Sequence, residues 1–231
     1  MKILLMTDIH GNLPALKEIL ATAGVNDKVV CLGDLAGYYP FVNEVIEMVS
    51  SLDHLICIKG NHDHVLINET LSTNSYSADL AIHFQRSIIN EKNKNFLEAL
   101  PETLKINVEG QTLFIFHGTP NDPLNGREPF WEKKRLHPGI YLFGHDHRPF
   151  LKMDRDQKWM VINPGSCGFP RDGDPRASFA ILNTVDYQVN FYRVEYPIEI
   201  VVEKCKEVGL PERFWKSLKA GRWLSESKKE R

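Results

Sequence analysis

The chain is short of several things, and each shortage closes off a class of explanation. Apolar runs are brief. The first, Ile3-Leu4-Leu5-Met6, stops at Thr7 and Asp8, too short for the core of a signal peptide, and nothing downstream approaches the roughly 20 residues that cross a bilayer. The expectation is a chain neither exported nor inserted, with no membrane partner. Cysteine is scarce: Cys31, Cys57, Cys167 and Cys205 are widely spaced and form no C-x-x-C pair. That argues against a disulfide framework or a zinc ribbon and suits reduced core thiols in a cytoplasmic protein. The formal net charge is only -2, so no global basic field draws in nucleic acid, and any anion site must be local. Repeats, low-complexity tracts and convincing linkers are also lacking. With 231 residues and 42% hydrophobic content, one domain over residues 1–231 is the economical reading.

What is present is a rhythm of apolar run, polar glycine-containing turn and amphipathic helix. Ile3 to Met6 leads into Asp8-Ile9-His10-Gly11-Asn12, and Leu13 to Ala23 reads as a helix capped by Asn12 and stopped by Gly24. Lys28 to Leu32 ends in Gly33-Asp34, and Pro40 opens a helix with Val42, Val45, Ile46 and Val49 on one face. Leu55 to Ile58 ends in Gly60-Asn61-His62-Asp63. Helical patterns follow at Ala78 to Ile89 and Phe96 to Leu100, then a hairpin from Thr103 to Phe116 that ends at His117-Gly118. Ile140 to Phe143 runs into Gly144-His145-Asp146-His147, and Trp159 to Ile162 into Asn163-Pro164-Gly165-Ser166. A last hairpin from Ala177 to Val194 precedes a helical tail over about 198–231, broken at Gly209-Leu210-Pro211. In open α/β sheets ligands bind beyond the carboxyl ends of the strands, where this chain concentrates its polar residues.

Those strand-end residues are Asp8, His10, Asp34, Asn61, His62, His117, His145 and His147. All offer oxygen or imidazole nitrogen and none offers sulfur, a set suited to divalent ions of intermediate hardness such as manganese, iron, zinc, cobalt or nickel. It is too large for one ion and about right for two that share a carboxylate.

The order D-x-H, G-D, G-N-H-D, a histidine followed by glycine, and G-H-x-H, from Asp8 to His147, resembles the calcineurin-like metallophosphoesterases. Asn163-Pro164-Gly165-Ser166 with Arg171-Asp172-Gly173-Asp174-Pro175-Arg176 looks like their small bacterial and archaeal phosphodiesterase branch. The resemblance implies an α/β fold, a two-sheet αββα sandwich with mixed sheets, which agrees with the change from parallel units to hairpins near Thr103. It implies two divalent metal ions, manganese first among them. Asp8, His10 and His147 would hold one, Asn61, His117 and His145 the other, and Asp34 would bridge. A hydroxide between the ions would be the nucleophile on a small phosphate ester. His62 matches the family position of the general acid, with Asp63 beside it to orient and charge its ring.

Other residues have plainer roles. Arg171 and Arg176 could grip a substrate phosphate bidentately or sit in a solvated loop held by Asp172 and Asp174. Tyr38 and Tyr39 could line a pocket or pack the start of a helix. Asp146, on an extended segment, is expected to point away from the two histidines that flank it. His54, His64, His83 and His137 fall outside every motif and read as core or surface residues, and the basic residues of the tail as a solvated helical face. Within the enzyme class a phosphodiesterase stands ahead of a phosphomonoesterase, a nucleotide or dinucleoside-polyphosphate hydrolase and a protein phosphatase. The last is disfavoured because Gly33-Asp34-Leu35-Ala36-Gly37-Tyr38-Tyr39 lacks the arginine of G-D-x-x-D-R-G. The alternative of another class is a scaffold that kept the fold without catalysis; the complete ligand set and His62 argue against it. A homo-oligomer is left open.

Overall fold

The structure, a computed structural model, describes residues 1–73, 75–133, 136–156 and 158–224. In chain order, β1 (Lys2–Met6) leads to α1 (Leu13–Ala23), β2 (Lys28–Cys31) to α2 (Val42–Ser50), and β3 (Leu55–Cys57) to α3 (Asn61–Ile67). Helices α4 (Tyr76–Ile88) and α5 (Glu91–Ala99) precede the hairpin of β4 (Thr103–Val108) and β5 (Gln111–Phe116). A single turn, α6 (Phe130–Lys133), is followed by β6 (Gly139–Leu142), β7 (Pro149–Met153) and β8 (Trp159–Pro164). The hairpin of β9 (Ala177–Asn183) and β10 (Val189–Val194) comes next, then α7 (Ile198–Glu207) and α8 (Glu212–Ala220). The charged end of the expected tail, Lys228 to Arg231, lies outside the described residues.

Two five-stranded mixed sheets result, in the orders β10-β9-β1-β2-β3 and β4-β5-β6-β8-β7. In the first, β1, β2 and β3 are parallel and β9 runs antiparallel to β1. In the second, β5, β6 and β8 are parallel and flanked by antiparallel β4 and β7. Alternation along each strand assigns its two faces. Ile3 and Leu5 join Val30, Leu113, Ile140 and Ile162 in the core between the sheets, while Leu4 and Met6 turn outward onto α1 and α2 with Leu16, Ile19, Val45 and Ile46. Both faces of β1 are therefore apolar, the mark of a strand covered on both sides. The outer face of the second sheet is covered by an aromatic cluster of Phe116, Phe130, Tyr141 and Phe143 rather than by a long helix.

Three differences from the sequence reading have local causes. β7 is exposed along Leu151 to Met153, and an edge strand of this kind shows no apolar alternation to announce it. α3 begins at Asn61, inside the stretch read as a polar turn, because its N-cap is Gly60, which lacks the side-chain oxygen that usually marks a helix start. α2 begins at Val42, two residues past Pro40, with Phe41 as its cap.

Candidate metal centre

The parallel strands end on one edge, and backbone bonds tie their turns together. The turn after β1 is joined to that after β2 through Ile9 N–H to Asp34 O (2.8 Å) and His10 N–H to Asp34 O (2.9 Å). The turn after β8 reaches the same place, with Gly168 N–H on Asp8 O at 2.9 Å and the Ser166 hydroxyl on that carbonyl at 2.8 Å. Nine described non-glycine residues have positive φ, and five of them are expected ligands: Asp8 (53°), His10 (52°), Asp34 (55°), His145 (65°) and His147 (58°). Each costs about 1–2 kcal/mol for a side chain with a Cβ. Strain gathered at one spot and held there by surrounding structure is typical of functional sites.

Glycines supply the close approaches. A Cβ at Gly60 would lie 2.1 Å from Asp34 Oδ1, and one at Gly37 (φ +100°) would lie 2.7 Å from His62 Nδ1 and 2.8 Å from His10 Nδ1. The rings of His10 and His62 therefore rest against bare backbone.

Hydrogen bonding fixes how the imidazoles present themselves. His10 Nδ1 lies 2.8 Å from Ala36 O, His117 Nδ1 2.7 Å from Leu32 O, and His147 Nδ1 2.5 Å from Phe169 O. A carbonyl only accepts, so each Nδ1 carries hydrogen and each ring turns Nε2 to the centre, the usual orientation of metal-ligating histidines. His10 Nε2 and His147 Nε2 face each other at 3.2 Å, and Asp8 Oδ1 is 3.8 Å from the first and 3.3 Å from the second. His117 Nε2 is 3.3 Å from Asp34 Oδ2. Asp8 is fully buried, yet neither carboxylate oxygen has a hydrogen-bond partner. A buried carboxylate left that way is costly unless a cation meets it.

Among the described residues, three overlapping groups have ligand atoms within 4.8 Å of one another: Asp8, His10 and His147; His10, Asp34 and His62; Asp8, Asp34 and His117. Two lone-pair nitrogens and a carboxylate without a hydrogen-bond partner in contact suit a divalent cation, and oxygen and imidazole donors are the right chemistry for one. Asn61 and His145 stand alongside, with His145 Nδ1 3.0 Å from Asn61 Oδ1.

Electrostatics agree with this picture. Burial pushes the Asp8 carboxyl up to about 7, with Asp34 adding to it against the pull of His117. Burial would raise Asp34 as well, but His117 and His62 outweigh it and hold the group well below the carboxylate range. Burial likewise opposes charge on His117, yet the Asp34 carboxylate lifts that ring to about 10. Burial lowers His10 and His147 well below the usual imidazole value, His62 to about 4 and His145 to about 3. Without an ion, the positive charge the cluster makes for itself is the His117 imidazolium against Asp34; the other rings are neutral lone-pair donors.

His62 lines the cleft above these atoms and donates its backbone N–H to Asp34 Oδ1 at 2.8 Å. Asp63 does not orient the His62 ring as expected. Its Oδ2 accepts Gly60 N–H at 3.0 Å and its Oδ1 accepts Ala36 N–H at 2.9 Å. As the third residue of α3 it turns back on the helix start, so its work is to pin the Asp34 turn. Arg171 does line the cleft, bound to the Tyr38 hydroxyl at 3.1 Å, with its guanidinium 5.1 Å from the Phe169 ring centre. Arg176 does not. It pairs with Asp174 at 2.7 Å and borders a separate hollow with Glu195 and Tyr196, because a carboxylate two residues away on an exposed loop satisfies it first. Tyr38 lines the cleft and packs on Phe169 and Phe214, while Tyr39 is core. Asp146 is exposed as expected, but for another reason: left-handed backbone at His145 and His147, not strand alternation, turns the two rings inward.

Four contributors carry no sequence signal. Arg127, from the loop after β5, donates Nε–H to His145 Nε2 at 2.8 Å. Thr73 and Ser75 close one side of the cleft. Gln85 of α4 clamps the Tyr38 turn by accepting Gly37 N–H at 2.8 Å and donating to Gly37 O at 3.0 Å and Tyr39 O at 2.7 Å.

Comparison with known proteins agrees with this geometry. An uncharacterized protein of Methanocaldococcus jannaschii is 35% identical over 95% of this chain and 98% of its own length. The phosphodiesterase YfcE of Escherichia coli K12 is 27% identical over 79% of this chain and 88% of its own. The crystal structure of a metallophosphoesterase from Sphaerobacter thermophilus is 32% identical, with a TM-score of 0.84 and coverage of 96% of this chain and 100% of that one. Residues 1–187 match the calcineurin-like phosphoesterase superfamily domain, and the chain belongs to that superfamily, as a metal-dependent phosphoesterase.

Proposed function

We propose that this enzyme hydrolyses phosphate diesters with two divalent ions held by its strand-end residues. The observation that carries the reading is the fully buried Asp8 carboxylate, without a hydrogen-bond partner and facing the lone pairs of His10 and His147. In this reading Asp8, His10 and His147 would hold one ion, Asn61, His117 and His145 would hold the other, and Asp34, which shares ligand groups with both Asp8 and His10, would be common to both. When bound, the ions supply positive charge to the ester oxygens and an activated water at neutral pH. Manganese is the ion we expect first, with iron, zinc, nickel or cobalt as substitutes.

The chain's own side chains do the rest. Arg171, braced by Tyr38, binds a non-bridging phosphate oxygen through a charge-assisted pair. His62 lines the same cleft; burial keeps its ring neutral in the empty cleft, and the negative charge of a bound phosphate would raise it so that it can donate the proton that the departing alkoxide needs. Asp63, Gln85 and Gly37 keep the turns from moving under it. A diester is favoured over a monoester by the name of the YfcE relative. We read residues 1–231 as one domain, since Tyr38 of the cleft packs on Phe214 and Trp223 of the tail, and place it in the cytoplasm on the strength of four free, buried thiols.

The test is turnover of bis-p-nitrophenyl phosphate beside p-nitrophenyl phosphate by manganese-loaded protein, with metal content measured on the same sample. The expected result is faster diester cleavage and two ions per chain, with Asp34→Asn losing both turnover and one ion. Equal or faster monoester cleavage overturns the diester assignment, and one ion per active chain overturns the paired centre.

A further inference from the structure

His145 differs from the other imidazoles of the cluster. His10, His117 and His147 turn an Nε2 toward the centre, while His145 turns its Nδ1 there, 3.0 Å from Asn61 Oδ1. On its far side, Arg127 Nε lies 2.8 Å from His145 Nε2. A guanidinium N–H only donates, so Nε2 must hold a lone pair and the hydrogen must sit on Nδ1, where it donates to Asn61 Oδ1. That tautomer cannot ligate through Nδ1. For His145 and Asn61 to grip one ion with the atoms they turn to each other, the ring's hydrogen has to move to Nε2. It would then meet the Arg127 N–H head on, two donors at hydrogen-bond distance.

Arg127 is free to leave. Its side chain is exposed, while the backbone beneath it is fastened: Gly126 N–H bonds Asp122 O at 3.0 Å, and a Cβ at Gly126 would fall 2.1 Å from Thr119 Oγ1. An exposed guanidinium on a fastened stalk has somewhere to go, because Arg127 and Arg171 both line the cleft.

We propose that Arg127 is a two-position residue: parked on His145 it holds the ring in the tautomer that cannot ligate, and ion binding at Asn61 and His145 releases it into the cleft as a second guanidinium for the substrate phosphate. The proposal rests on the reading of Asn61 and His145 as ligands. It makes Arg127 a competitor of the ion before loading and a partner of the substrate after it.

The test uses the full chain, stripped with EDTA and labelled with 15N-histidine, with zinc as a diamagnetic probe. Long-range 1H–15N correlation is expected to show hydrogen on His145 Nδ1 in the stripped protein and on Nε2 after zinc. Arg127→Gln, whose amide oxygen can accept from Nε2–H, is expected to shift the stripped ring toward Nε2–H. It should tighten the weaker zinc site about tenfold, the scale set by losing one charge-assisted hydrogen bond. At saturating manganese, Arg127→Ala should raise KM for bis-p-nitrophenyl phosphate about tenfold or more with a smaller change in kcat. Hydrogen on Nε2 in the stripped wild type overturns the proposal, as does zinc affinity unchanged or weakened in Arg127→Gln, or an unchanged KM. A gain in affinity without a tautomer change means that charge alone acts and also overturns it. Zinc that binds without perturbing His145 sinks the ligand reading instead, so the two failures are distinguishable.

Discussion

His10 and His147, 137 positions apart in the chain, hold their Nε2 atoms 3.2 Å from each other, and both rings have already spent their hydrogens on backbone carbonyls. Two lone pairs at that distance repel, and the buried Asp8 carboxyl beside them has no hydrogen-bond partner among the described residues, with His117, at 3.8 Å, as a distant cation. An ion that enters relieves the repulsion in the folded state alone. Manganese or zinc at about 100 times its Kd should stabilise the fold by about 2.7 kcal/mol. In a chain of this length that is a rise in Tm of roughly 5–11 °C, reversed by EDTA. Calorimetry of stripped and loaded protein checks it, and a Tm indifferent to both treatments would contradict the site.

His62→Ala should separate a proton donor from a ligand, which matters because His62 groups with His10 and Asp34 as well as lining the cleft. As a donor, its loss lowers kcat by about 10² to 10⁴ with alkyl leaving groups, lowers it much less with p-nitrophenolate, and leaves metal content unchanged. Rates across a leaving-group series with metal analysis decide the matter; a fallen ion count assigns His62 to the ion.

Gly37→Ala puts a methyl within 2.8 Å of both His10 Nδ1 and His62 Nδ1, at a φ of +100°. The backbone term alone costs about 1–2 kcal/mol, and relieving the clash must displace a ring. We expect lower stability in urea together with weaker metal binding, whereas Gly24→Ala, at a positive φ with open space around it, should lower stability and spare the site.

Asp79 holds the segment that supplies Thr73 and Ser75 to the cleft, accepting from Ser72 at 2.7 Å and from Thr73 N–H and Oγ1 at 2.7 Å each. Burial would raise its carboxyl, but these bonds outweigh it and hold the group below its ordinary value of 3.8. A depressed carboxyl stabilises the fold above its unfolded value, and that contribution disappears as pH falls through the folded one. The Tm gap between wild type and Asp79→Asn should therefore stay level from about pH 8 down to the ordinary carboxyl range and close below it. A gap that persists at about pH 3 would assign the effect to shape, not charge.

How far the sequence could be read follows from where each signal resides. Asp8, Asp34, Asn61, His117, His145 and His147 each follow a buried apolar strand, so local pattern and the rule that ligands gather at strand ends were enough to nominate them. The four strands of the two hairpins were legible from the same kind of pattern, whereas the two-sheet arrangement came from the family resemblance and the exposed edge strand β7 was missed. Arg127 was not, because an arginine in a loop of proline, asparagine and glycine has no period, and only the fold brings it to His145. Asp63 was misread because adjacency in sequence to His62 says nothing about direction on a helix, where neighbours point about 100° apart. The left-handed backbone at five of the expected ligand positions is invisible for a further reason: aspartate and histidine carry no mark of it, as glycine would.

The strand that carries Asp8 lies in the middle of its sheet, paired through Leu4 and Leu5 with Val29 and Val30 on one side and with Ile181 and Ala180 on the other. The second of these neighbours is made last but one among the strands. β2 follows soon after β1 in the chain, but the other edge of β1 has no partner until the β9 segment, Ala177–Asn183, has been made, and until then that apolar edge stays open. The candidate metal site is thus completed late in synthesis, and we expect an ion to be taken up only after the β9 segment has paired with β1.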